Sequence, residues 1–206
     1  MKLYNSNENK YQKLLISLKY YLVGKGYHKA LSAMAFAQKH HSGTRKDGFT
    51  PEFQHQVEIA LHISTLKDLV DEETTLIVAF LHDIVEDTNV SVEDINRMFG
   101  KIVADSVYCM TKKTKDFKKS TEQYMFDLQN DAFASIVKGV DRHNNFGSML
   151  GVFSKEKQET YIKEGIDLFL PMLKNASNNF PSQHSAYMNI RSSLKMQIHL
   201  ISATFV

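Results

Sequence analysis

The stretch Phe80-Leu81-His82-Asp83-Ile84-Val85-Glu86-Asp87-Thr88 places two pairs of titratable residues one helical turn apart inside an apolar segment. On a continuous helix His82 shares a face with Glu86, and Asp83 with Asp87, because residues four apart are neighbours. Phe80, Leu81, Ile84 and Val85 fill the other positions. Holding that much charge beside an apolar face costs free energy unless a cation or a substrate uses it. The run therefore points to a helical enzyme site that holds a metal.

Helix signals continue on both sides of it. Asp71 is placed to cap the helix that leads into the run, with Glu72 and Glu73 in the first turn, where the helix dipole favours acids. Downstream, Ser91 with Asp94 reads as a capping box for a short helix ending at Gly100, and Lys101 to Met110 continues as helix. Upstream, Tyr11 to Val23 carries Leu14, Leu15, Leu18 and Leu22 at helical spacing until Gly24 and Gly26. Tyr27 to His41 is a second helix. A polar loop follows, and Thr50 is predicted to cap a helix that has Pro51 at its first position and runs to about Leu66. Lys112 to Lys119 reads as a solvated, lysine-rich loop. Ser120 and Gln123 form another box opening a helix to about Leu128, and Ala132 to Asn144 is helical. Ser154 caps a long helix to about Asn175, a loop follows to Gln183, and a last helix covers roughly Ser185 to Ser202.

Only three prolines and nine glycines interrupt the chain, and no segment alternates with period two between turn signals. The expected fold is all-α, a single-domain bundle of about ten helices over residues 1–206. A net charge of +2 argues against a nucleic-acid binder. No apolar run approaches the ~20 residues that span a bilayer, and Met1 to Lys13 lacks a signal-peptide core. The lone Cys109 excludes an intrachain disulfide and fits a small buried residue in a reducing, cytoplasmic setting. Met34, Met98, Met110 and Met125 read as core, and His40, His41, His62 and His143 as surface or packing histidines.

A metal site needs ligands from more than one helix. His55, upstream, and Asp141, in Val140-Asp141-Arg142-His143-Asn144-Asn145, could join His82 and Asp83. Two imidazoles and two carboxylates suit a hard or borderline divalent cation such as Mn²⁺.

The order His…His-Asp…Asp resembles that of the HD phosphohydrolase superfamily, and further segments resemble its RelA/SpoT-type branch. They are the His40–His55 segment with Arg45-Lys46, the His82-Asp83-Ile84-Val85-Glu86-Asp87-Thr88 signature, Phe99 to Ala104 with Met110-Thr111-Lys112, Lys138 to Asn145, and Glu164 to Pro171. The likeness covers roughly residues 27–175 and leaves residues 176–206 as a helical extension. It departs from the branch where His55-Gln56 replaces His-Pro, where His143-Asn144 replaces Leu-His, and where Thr44 stands for a Gln.

The resemblance implies an HD-domain helical fold and Mn²⁺-dependent removal of the 3′-pyrophosphate from ppGpp and pppGpp, giving GDP or GTP and pyrophosphate. It implies a small hydrolase without the synthetase domain of longer members. By the same likeness, His55, His82, Asp83 and Asp141 would hold the metal, and Glu86 and Asp87 would be the catalytic pair. Arg45, Lys46, Arg142, Asn145 and Ser148 would meet the nucleotide. Alternatives are an HD nucleotidase or phosphatase acting on another phosphorylated nucleotide, such as ppApp or a 3′-phosphorylated adenine compound, and a non-catalytic nucleotide sensor.

Overall fold

The computed structural model describes residues 2–45 and 47–205, so Lys46 lies outside the described residues. These form helices α1 (Lys2–Lys25), α2 (His28–His40), α3 (Gln54–Ile63), α4 (Glu72–Leu81), α5 (Ile84–Asp87) and α6 (Val92–Phe99). Then come α7 (Lys101–Met110), α8 (Thr121–Gln129), α9 (Ala132–Ser148), α10 (Lys155–Glu164), α11 (Leu170–Asn179) and α12 (His184–Ser202). No described helix is long and apolar enough to cross a membrane.

Helix α4 is the hub. Its residues from Thr75 to Leu81 are all buried, and it packs on α2, α3, α7 and α9. A helix apolar on every side can only sit inside a shell of others. Its cap is the expected one, with the Asp71 side chain accepting from the Thr74 amide. The Ser91–Asp94 box is complete in both directions, and Gly100, at φ 91°, makes the left-handed turn between α6 and α7 that favours glycine. Ser120 accepts from the Gln123 amide, but the Gln123 side chain turns to Asp127, so this box is only half formed.

Several expectations fail for identifiable reasons. Helix α3 starts at Gln54, not behind Thr50. Asp47 takes the Phe49 and Thr50 amides and the Thr50 hydroxyl, which ties the segment into a turn. Gly48, at φ 80°, allows that turn, and Thr44 pairs with Pro51 across it. Lys119 is not solvated: it is buried, donates to the Tyr108 carbonyl and pairs with Asp127 at 2.8 Å, fastening α7 to α8. Met98 is exposed, whereas Met34 and Met110 are core. Burial and the nearby Asp131 and Asp127 push the Cys109 thiol up to about 12, which makes it inert at neutral pH.

The predicted long helix after Ser154 is two helices joined by a π-helical turn, Gly165–Phe169, and α11 extends through the predicted loop to Asn179. A Cβ on Gly165 would sit 3.0 Å from the Phe146 ring, so glycine lets the wider turn lie on α9.

Helix α12 packs along α9. On α9 a Cβ on Gly139 would meet a methyl of Ile190 on α12 and one of Leu173 on α11 at 2.8 Å. We expect Gly139→Ala to destabilise the protein by about 1–3 kcal/mol, the usual cost of overpacking, measured by urea unfolding.

His62 on α3 and His143 on α9 pack edge to face, ring centroids 4.8 Å apart. Burial lowers the pKa of both, and the neighbouring His62 helps to bring His143 to about 4. A histidine that is neutral in the fold but titrates near ~6.5 when unfolded stabilises fully above that pH and loses its contribution as pH falls. The stability curve should therefore drop between pH ~6.5 and ~4. In urea titrations across that range, His143→Phe should flatten this limb.

Candidate active site

The site forms where α3, the α4–α5 junction and α9 meet. The run 80–88 is not one helix. Helix α4 ends at Leu81, where the His82 Nδ1–H donates to the Ala79 carbonyl at 2.8 Å and occupies one of the helix's terminal acceptors. Asp83 takes φ −102° and ψ −4°, the bridge conformation common in active sites, and α5 begins after it. The break separates the four groups. His82 turns fully inward, Asp83 stands beside it, and Glu86 and Asp87 lie near the surface.

His55, at the start of α3, and Asp141, midway along α9, complete the centre. The two imidazoles converge on Asp141, and Asp83 joins through His82: His55 Nε2 lies 3.0 Å and His82 Nε2 3.9 Å from Asp141 Oδ1, and His82 Nε2 lies 2.9 Å from Asp83 Oδ2. His55, His82 and Asp141 offer ligand atoms within 4.8 Å of one another, all from buried residues.

The donor set fits a divalent cation. His55 Nδ1–H donates to Asn144 Oδ1 at 2.7 Å, and the Asn144 amide donates onward to Glu58 at 2.9 Å. With the His82 bond to Ala79, both imidazoles have Nδ1 occupied and Nε2 facing the carboxylates, as in metal-ligating histidines held by outer partners. His82 Nε2 is also buried and, despite its nearness to Asp83, not aligned for any hydrogen bond. Asn144, Glu58 and Lys138 escaped sequence reasoning. Asn144 is one of the departures from the branch pattern, and nothing local marks it as the partner of a residue 89 positions away.

Charge is concentrated here. Burial would lower His82, but Asp83, Asp141 and the Ala79 carbonyl outweigh it and raise it to about 9. Burial would raise Asp83, but His82 holds it near 2. Burial would likewise raise Asp141, yet Lys138, at 2.8 Å, and both histidines hold it well below the usual carboxylate range. Asp87 goes the other way: burial first, then the negative charges of Asp83, Glu86 and Glu52, push it up to about 6.

A cavity of about 600 Å³ opens over the centre. That is within the ~300–1,000 Å³ range of small-molecule sites. Of the expected residues, His55, Asp83, Asp87, Asp141, Arg45, Asn145 and Ser148 line it. Asn145 donates to Asp141 Oδ1 at 2.7 Å, so its amide nitrogen is engaged by the centre. Glu86 is not in the lining: its carboxylate accepts from the amides of Lys112 and Lys113. Arg142 is not in it either. It is buried, pairs with Glu164, and stacks over Tyr161 at 4.2 Å and Phe169 at 4.3 Å. His41, read from sequence as a packing or surface residue, is buried beside Glu52, which is in the lining.

The chain is similar to known proteins along most of its length. The HD domain family matches residues 33–176. A probable guanosine-3′,5′-bis(diphosphate) 3′-pyrophosphohydrolase of Synechocystis sp. is 33% identical over 68% of this chain and 19% of its own. The guanosine-3′,5′-bis(diphosphate) 3′-pyrophosphohydrolase of Aquifex aeolicus is 32% identical over 68% of this chain and 20% of its own. This chain thus spans about a fifth of the length of these curated relatives. A solved structure of a metazoan ortholog of SpoT that hydrolyses ppGpp shares the fold, with a TM-score of 0.62 at 20% identity over 84% of this chain and 95% of its own.

Proposed function

Because the chain belongs to the HD-domain family, we propose that it is a hydrolase of ppGpp-like nucleotides, removing the 3′-pyrophosphate with Mn²⁺ as the cation. The observation that carries this reading is the pair of buried imidazoles held with Nε2 toward Asp83 and Asp141, beneath a cavity edged by Arg45 and Asp87. The relatives named for this reaction support it.

His55, His82, Asp83 and Asp141 would hold the cation. When bound, it supplies acidification of water and neutralisation of phosphate charge. In the reaction, water attacks the phosphorus nearest the ribose, the bond from that phosphorus to the 3′-oxygen breaks, and pyrophosphate and a free 3′-hydroxyl result. Asp87 is the group to take the water's proton and return it to the leaving 3′-oxygen. It faces the cavity, and a pKa near 6 suits both halves of that exchange. Glu86, occupied by backbone amides, positions the turn that carries Asp87. Arg45 offers a planar cation to the base and phosphates, with Lys46 beside it in sequence. Ser148 and Asn145 line the same wall. Arg142 serves packing within the α9–α10 region rather than substrate contact.

Incubating the protein with ppGpp and Mn²⁺ tests the reading. GDP and pyrophosphate are expected, and their absence would sink it. Arg45→Ala should raise KM about tenfold or more, as a lost charge-assisted contact is ~1.5–3 kcal/mol.

Adenine nucleotides are a second reading, because the Asn145 amide nitrogen is committed to Asp141 and cannot select a base edge. A panel of ppGpp, ppApp and a 3′-phosphorylated adenine nucleotide separates the two. A pure sensor is excluded if Asp83→Asn abolishes a turnover that the parent protein shows.

A further inference from the structure

Behind the metal centre runs a chain of side chains whose polarity is fixed from its far end. Gln54 Nε2 donates to Glu58 Oε1 at 2.7 Å, Asn144 Nδ2 donates to Glu58 Oε2 at 2.9 Å, and Asn144 Oδ1 lies 2.7 Å from His55 Nδ1. Gln54 and Glu58 stand one turn apart on α3, and Asn144 reaches them from α9. All three lie outside the cavity lining.

Each link dictates the next. A carboxylate has no hydrogen to give, so whatever meets Glu58 must donate. The Asn144 amide is therefore turned with its nitrogen to Glu58 and its oxygen to His55. An amide oxygen only accepts, so the proton of the neutral ring belongs on Nδ1 and the lone pair on Nε2. In that tautomer a cation can use Nε2. The chain has an opponent. His55 Nε2 is 3.0 Å from Asp141 Oδ1, and that carboxylate by itself would draw the ring proton to Nε2 and close the lone pair to a cation. His82 faces no such choice, because its Nδ1 partner is the Ala79 carbonyl, a backbone acceptor that cannot turn over. Of the two imidazoles, only His55 has its tautomer decided by side chains.

We infer that Glu58, two hydrogen bonds away from His55, is a positioning residue that sets the metal-binding tautomer of His55 through Asn144. The inference rests on the proposed role of His55 as a ligand and extends it to a residue outside the cavity. Asn144 is one of the places where the chain departs from the branch pattern, so the device belongs to that departure.

A charge swap tests this with Mn²⁺ alone and no substrate, so its outcome is separate from that of the alarmone assay. Glu58→Gln keeps the size of the side chain but gives it a donor. With Gln54 held at one oxygen, the new N–H points at Asn144, whose amide can turn over and leave its nitrogen facing His55 Nδ1. The ring proton should then shift toward Nε2. NMR of nitrogen-labelled histidines in the chelator-stripped protein should show His55 Nδ1 protonated in the parent and largely unprotonated in Glu58→Gln. Calorimetric Mn²⁺ affinity should fall about tenfold or more, as losing an outer partner of a ligand does. Adding Asn144→Asp to Glu58→Gln keeps the net charge and again puts an acceptor-only group at His55 with a donor behind it. That double variant should recover the Nδ1 proton and an Mn²⁺ affinity within a few-fold of the parent's, a rescue that a merely packing role for Glu58 would not give. An unchanged Nδ1 proton and Mn²⁺ affinity in Glu58→Gln, or a double variant no better than the single one, overturns the inference.

Discussion

Asp141→Asn should abolish turnover, lowering kcat/KM by on the order of a thousandfold or more. The cation contributes several kcal/mol of charge stabilisation, and each ~1.4 kcal/mol is a factor of ten. Asp141 is the residue on which the centre converges, with Lys138 and Asn145 donating to it and His55 Nε2 3.0 Å from its Oδ1. The same change should also destabilise the metal-free protein, because the carboxylate is 4% exposed and its partner Lys138 only 17%. Removing one member of a buried pair costs about 3–5 kcal/mol. Urea unfolding in a chelator, with calorimetric Mn²⁺ titration of the same sample, reads both effects. Full stability together with lost metal binding would show that the Lys138 pair matters little to the fold. Unchanged metal binding would remove Asp141 from the ligand set.

Asp87→Asn should act with opposite signs on activity and stability. As the proton-handling group its loss should cost about 10²–10⁴ in kcat. For stability the sign follows from the raised pKa. In the fold Asp87 titrates near 6, whereas an unfolded aspartate titrates near ~3.9. Between those values the folded state holds the extra proton, so the ionised group increasingly destabilises the fold as pH rises, and the penalty is complete above about 6. Replacing it with a neutral amide relieves that penalty. The metal-free variant should melt higher than the parent at pH 8 and at nearly the same temperature at pH 4. A lower Tm at pH 8 would make Asp87 a structural residue and return the proton-handling role to Glu86.

The parts of this molecule that were legible in the sequence are the ones governed by neighbours in the chain. The Asp71, Ser91, Ser120 and Ser154 caps are fixed by side chains reaching amides three positions ahead, and each was placed correctly. Thr50 failed as a cap because its hydroxyl is donated to Asp47, whose carboxylate also holds the Phe49 and Thr50 amides in a turn. The His82–Asp83 pair stood out by its charge in an apolar run. The helix break between that pair and Glu86-Asp87 did not, because it depends on the His82 ring finding the Ala79 carbonyl. The least legible residues are those whose meaning lies across the fold. Asn144 matters through a histidine on another helix, Lys119 through a carboxylate on α8, and Arg142 through a cage that exists only because the π turn at Gly165–Phe169 brings Phe169 over it. Residues 176–206, without an assignment from motif, prove to include the helix that packs along α9, the carrier of Asp141.

The grip of Glu86 on the Lys112 and Lys113 amides has a mechanical side. It ties a one-turn helix too short to be stiff by itself to a loop 26 positions away, and the tied residue is the immediate neighbour of Asp87. That loop also walls a second hollow, of about 640 Å³, on the outer side of the same turn. The loop is therefore tied to the turn one residue from Asp87, the carboxylate proposed to carry the proton, and a displacement at Lys115 or Phe117 would reach that turn from outside the cavity that Arg45 and Asp87 line.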